Sequence, residues 1–176
     1  LWSRGLGDVY KRQYQDTGNW GNWWVRDITG SVLYRFYYVL GFMGDTSTFD
    51  DVHIILNGRA WGSVVDEWCR QNTIGMQFDT QSSDRIDGFK FVNGGFVGGA
   101  VAFNSSGNGQ TWIHLTDFYT DIGIQAFTGE FGKVLASVGN ITCGDAYYAY
   151  QNKPACEVDN SNFVMNSVVF SLGSTQ

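Results

Sequence analysis

Ile74-Gly-Met-Gln-Phe78, Val97-Gly-Gly-Ala-Val101 and Ile122-Gly-Ile-Gln-Ala126 repeat one short pattern, in which a glycine and small or polar residues alternate with apolar ones. Ala146-Tyr-Tyr-Ala-Tyr150 and Phe170-Ser-Leu-Gly173 fall into the same phase. Their second positions, Gly75, Gly98, Gly123, Tyr147 and Ser171, stand 23, 25, 24 and 24 residues apart, and a period of that size marks a solenoid. A second apolar series begins at Ile86, Ile113, Val138 and Phe163, with steps of 27, 25 and 25. Each repeat therefore reads as strand, tight turn, strand and longer loop. Asn93-Gly94-Gly95, Thr120-Asp121 and Gly144-Asp145 supply turn residues, and 104–109 a closing loop. One such coil cannot bury its apolar face alone, but coils stacked at about 4.8 Å per strand share a continuous core.

Composition narrows the field further. The 176 residues are 43% apolar and 16% charged with a net charge of −6, which excludes the polar composition of a disordered chain. No apolar run approaches the roughly 20 residues that span a bilayer, so no membrane span is expected. A net acidic surface repels phosphate and argues against a nucleic-acid partner. Three cysteines, Cys69, Cys143 and Cys156, allow at most one bridge and show no zinc or redox spacing. Residues 1–13, with Gly7-Asp-Val-Tyr-Lys-Arg-Gln13, read as a translated sequencing adapter and are set aside, which implies that natural sequence upstream of Tyr14 is missing and that the chain is truncated. Residues 14–51, rich in Trp and Tyr, do not follow the repeat and are expected to form an N-terminal cap or an irregular first coil. Residues 52–176 are expected to form the repeats.

The fold expected from these patterns is all-β, a right-handed parallel β-helix of about five coils; an antiparallel sandwich of lectin type is the competing architecture. Asn72-Thr-Ile-Gly-Met-Gln-Phe-Asp79 and Ser83-Asp-Arg-Ile-Asp-Gly-Phe-Lys-Phe-Val-Asn-Gly94 resemble coils of the pectate-lyase-like superfamily. The resemblance covers about Val52 to Leu172. It implies a protein of phage-tailspike or secreted carbohydrate-active type that recognises or cleaves a polysaccharide, as a lyase or glycoside hydrolase, at an extracellular or virion surface, with a homotrimer among the implied assemblies. The alternative is a non-catalytic structural or adhesion solenoid. Trp112-Ile-His-Leu-Thr-Asp117 shares only a faint pattern with a pectate lyase segment, and the polygalacturonase series of an Asn-Thr-Asp segment followed by Asp-Asp and Gly-His segments is not present.

Asp121 and Asp145 take the same position in coils 24 residues apart and are expected to stack, with Asp117 nearby. Two carboxylates about 5 Å apart suit a retaining glycosidase, a shared Ca²⁺, or simple capping of each turn. Trp61 and Trp68, in the insertion between Gly58 and Asn72, offer an aromatic platform for a sugar ring or a cover for the core. Gln77, Gln125 and Tyr147 are expected to face outward beside that platform as carbohydrate contacts. His53 and His114 are expected to point outward as surface residues without a metal-ligand partner.

Overall fold

The computed structural model describes residues 24–40, 47–58, 61–80, 85–107, 110–143, 156–159 and 162–172. In chain order they form β1 (Trp24–Ser31), β2 (Arg35–Leu40), β3 (Thr48–Leu56), α1 (Ser63–Asn72), β4 (Ile74–Thr80), β5 (Arg85–Gly98), β6 (Val101–Gly107), β7 (Gln110–Ile122), β8 (Gln125–Glu130), β9 (Lys133–Cys143), β10 (Cys156–Asp159) and β11 (Phe163–Leu172). The odd strands make a six-stranded sheet in the order β1-β3-β5-β7-β9-β11, and the even strands a five-stranded sheet in the order β10-β8-β6-β4-β2. Every pairing is parallel. The chain thus visits the two sheets alternately, one strand at a time, as a solenoid does.

Each rung places like residues above like. Val25, Phe49, Phe91, Leu115, Ala136 and Met165 form one inward column of the larger sheet, and Tyr37, Met76, Phe103 and Phe127 one of the smaller. Phe103 and Phe127 stack at 5.3 Å between ring centroids, and Phe91 meets Phe96 at 5.4 Å. The space between the sheets is filled by these rings, with Phe78, Phe89, Phe91, Phe96, Phe103, Phe127 and Phe131 buried. Burying one such side chain contributes about 2–3 kcal/mol, so the aromatic interior is the main adhesive between rungs.

The register differs from the one the repeat pattern predicts. Ile74–Thr80 pairs not with 97–101 but with Val101–Gly107, Ile74 opposite Val101. Likewise Ile113 lies over Val134, 21 residues on, not over Val138, and Val134 lies under Phe163. The cause lies at Asn93-Gly94-Gly95, which bends the chain without leaving the sheet: β5 runs on to Gly98, and the crossing to the smaller sheet comes at Gly98 and Gly99, both with positive φ. The glycine series therefore mixed a strand position, Gly75, with corner positions, Gly98 and Gly123, and with Ser171 of the other sheet. Asn104–Gly107 belongs to a strand, not to the expected closing loop, and Ser105 is buried with its hydroxyl 3.1 Å from that of Thr111. From Trp24 onward the segment expected as cap or irregular coil supplies β1 and β2, each paired in parallel register.

The bend at Asn93 is one of a column. Asp27, Asp51, Asn93, Asp117, Val138 and Ser167 all have φ between 50° and 57°, and they occupy the same register position in all six strands of the larger sheet. A left-handed residue resets the in-out alternation: Thr116 and Asp117 are both exposed, while Leu115 and Phe118 on either side are buried. Strands of 13 or 14 residues such as β7 and β5 are therefore two straight segments joined at a corner. Asp and Asn tolerate this conformation because their short polar side chains bond locally, whereas a β-branched residue is strained there. Val138 is the exception, β-branched and 55% exposed. Val138→Asn is expected to stabilise the chain by about 1 kcal/mol, read as a higher urea midpoint at unchanged slope; an unchanged or lower midpoint contradicts the strain.

Candidate functional site

The outer face of the larger sheet carries a hydrogen-bonded chain of three side chains. Thr29, His53, Gly95, Tyr119 and Asn140 form one outward column just past the corner. His53 and Tyr119 are two rungs apart, and Gly95 between them has no side chain. A Cβ on Gly95 would lie 2.2 Å from the Tyr119 carbonyl oxygen and 2.6 Å from its ring. With that space open, the Tyr119 ring lies nearly parallel to His53, centroids 5.8 Å apart, and its hydroxyl is 2.9 Å from His53 Nδ1.

The other imidazole nitrogen, Nε2, is 2.9 Å from Asp51 Oδ1, which also accepts a 3.5 Å bond from Asn93 Nδ2. A carboxylate oxygen accepts, so Nε2 donates to Asp51, and the tautomer that does so turns Nδ1 as acceptor toward the Tyr119 hydroxyl. Partial burial raises the Tyr119 phenol above its ordinary value. Asp51 owes its position to the corner: its left-handed backbone swings the carboxylate beside His53, two residues on. The three side chains remain accessible, with His53 36% and Asp51 44% exposed.

A second cluster sits where the chain leaves β1 and where α1 docks. Cys69 on α1 is buried and its thiol donates to the Leu33 carbonyl, which also accepts from the Thr73 hydroxyl at 2.9 Å. Arg70 and Asp66 form an i,i+4 pair at 3.0 Å, and Asp66 also accepts from the Gly58 amide. These contacts hold Trp68 6.0 Å from Tyr34, both rings nearly half exposed. The Arg35 guanidinium lies 4.4 Å from the centre of Tyr34 and 4.7 Å from that of Tyr38. The Tyr38 hydroxyl donates to Asp79 at 3.1 Å, and partial burial, then this carboxylate, raise the phenol.

Among the residues the sequence singled out, Asp121 is exposed near the end of β7, with Val97 and Thr142 as its register partners. Asp145 and Tyr147 lie outside the described residues. The observed step from Asp121 to its neighbour is thus 21 residues, whereas the stacking argument used 24. Asp117 is an exposed corner residue, and three residues of strand separate its column from that of Asp121. Gln125 is corrected: it starts β8 beside the crossing, only 2% exposed, so it does not face outward. Gln77 is half-buried, and its amide nitrogen lies 3.4 Å from Ser106 Oγ. Trp61 is 52% exposed. Among the described residues, no group of three or more His, Cys, Asp or Glu is placed to hold a metal ion, and no helix is long and apolar enough to cross a membrane.

His114 stands in a different outward column, between Lys90 and Leu135; partial burial, then Lys90 and Lys133, lower its imidazole below the ordinary value. His53 was expected on the outer face, and there it is, but its partners were missed. Tyr119 is 66 residues away, and only the true register brings Asp51-Val-His53, Asn93-Gly-Gly95 and Asp117-Phe-Tyr119 into three adjacent rungs. No family model, curated protein or solved structure matches the chain. Gly95→Ala is expected to cost about 2–3 kcal/mol and to separate His53 from Tyr119, read as a lower urea midpoint and loss of the ring contact in NMR spectra; a neutral substitution contradicts the close packing.

Proposed function

We propose that this chain is a right-handed parallel β-helix of the pectate-lyase-like kind that engages a polysaccharide at a cell or virion surface. The handedness rests on the strong preference of parallel crossovers for the right-handed path. The observation that carries the functional reading is the exposed pair Tyr34 and Trp68 with Arg35 beside them. A pyranose presents an apolar C–H face that packs on an aromatic ring, and hydroxyl edges that want planar polar partners, here the Arg35 guanidinium and Asp79. The net charge of −6 favours a neutral glycan over a polyanion. Asp117 and Asp121 offer exposed carboxylates for cleavage, but their columns are separate, so the platform supports recognition first.

A second reading, a solenoid that is structural or adhesive without catalysis, draws on the corner column: Asp27, Asp51 and Asp117 serve the backbone there, a role that needs no ligand. Glycan arrays separate the two. Neutral glycans are expected to bind the wild type, and Trp68→Ala to weaken that binding by about tenfold without moving the melting temperature by more than a degree or two. Absence of binding to neutral and acidic glycans alike leaves the structural reading.

A further inference from the structure

The arrangement of Asp51, His53 and Tyr119 is that of an orienting carboxylate, a base and a hydroxyl within its reach. Activated nucleophiles share this order: the nucleophile hydrogen-bonded to the base, and the base held by a third group. Both bonds are 2.9 Å, within the range for proton transfer. The carboxylate fixes the tautomer that leaves Nδ1 free to receive the phenolic proton. Glycine at position 95 is what lets the phenol reach across two rungs, so the trio depends on a cleared space and on residues from three strands. All of it lies on an outer face that a large ligand reaches.

We propose that Tyr119 is a nucleophile activated by His53 and oriented through Asp51, and that its substrate class is a carboxylic ester carried on a sugar hydroxyl, such as an O-acetyl group. The glycan part of this assignment rests on the polysaccharide reading above; the nucleophile does not. As Tyr119 Oη bonds to the ester carbonyl carbon, its proton passes to His53 Nδ1, and Asp51 stabilises the imidazolium. The tetrahedral adduct collapses by breaking the bond from the carbonyl carbon to the sugar oxygen, which takes the proton from His53. The products are acetyl-Tyr119 and a free sugar hydroxyl. Water then attacks the aryl ester, His53 takes its proton and returns it to the departing Tyr119 oxygen, and acetate leaves. No electron donor or acceptor is required, because no atom changes oxidation state.

The test needs no knowledge of the natural glycan. The full chain is treated with p-nitrophenyl acetate, and acetylation is followed at each tyrosine by peptide mass spectrometry. Tyr119 is expected to acetylate at least about a hundredfold faster than the more exposed Tyr34, the lower end of what a positioned base contributes. His53→Gln is expected to abolish that advantage, and Asp51→Asn to reduce it, since Asn keeps the left-handed corner while removing the charge. Circular dichroism of both variants checks that the fold is retained, and Tyr119→Phe, which keeps the ring over Gly95, locates the label. Equal labelling of Tyr119 and Tyr34, or labelling indifferent to His53→Gln, overturns the proposal. Fast labelling of Tyr119 with acetate release from O-acetylated polysaccharide supports it in full. Fast labelling without such release supports the nucleophile and overturns its assignment to sugar esters.

Discussion

One left-handed residue per rung, repeated in register through all six strands of the larger sheet, sets the geometry on which the rest of the chain depends. A parallel sheet without this corner carries its strands straight on, and the inward side chains of a 13- or 14-residue strand overshoot the core. With it, each strand bends, the alternation resets, and apolar residues before and after the bend both point inward. Leu115 and Phe118 on either side of Thr116 and Asp117 show the shift of phase in one strand. The cost of the conformation is smallest for Asp and Asn, and these residues fill four of the six places.

The same bend builds the candidate site. It turns Asp51 toward His53 and, one rung on, brings Asn93 within reach of Asp51. The residues after the bend must then pass close beneath neighbouring rungs: Gly94 faces the Val52 backbone, Gly95 the Tyr119 backbone, and Gly139 the Phe118 ring, each with a Cβ approach below 2.5 Å. Small residues at these places serve two ends at once. They let the rungs stack at sheet distance, and over Gly95 they leave the gap that Tyr119 crosses. Stability and surface chemistry therefore share residues here, so the site cannot be altered at Gly95 without loosening the solenoid.

Much of this was legible in the sequence at the level of architecture and little at the level of register. The recurrence of apolar and glycine positions at about 24 residues reported the stacked parallel strands, because repetition survives errors of alignment. Register did not survive them. Asn93-Gly94-Gly95 has the composition of a turn between strands, and nothing local distinguishes a bend within one sheet from a crossing to another. Taking the first for the second shifted β6 by four residues and β8 by three, and unequal rungs of 21 and 29 residues on either side of Val134 passed for two of 25. Gln125 moved from the surface to the interior for that reason. Asp51, His53 and Tyr119 were invisible as a group, since β3 and β7 meet across Gly95 of the rung between them only when both steps of the register are known. The helix from Ser63 was hidden too: its place was marked as an insertion, but of its ten residues Cys69 alone is buried, and docking through Cys69 and Thr73 holds it.

Disulfide trapping reads out the register that the corner imposes. Thr116 and Ser137 are exposed register partners on β7 and β9 with hydroxyl oxygens 3.2 Å apart, and neighbouring strands hold their Cα atoms at about 4.8 Å, within the span a disulfide bridges. In a background with Cys143 and Cys156 replaced by serine, Thr116→Cys with Ser137→Cys is expected to close fully on mild oxidation, seen in intact monomer as the loss of the two introduced thiols with buried Cys69 retained. If that pair stays open while Thr116→Cys with Ile141→Cys closes, the repeat is 25 residues here and the corners do not align in one column.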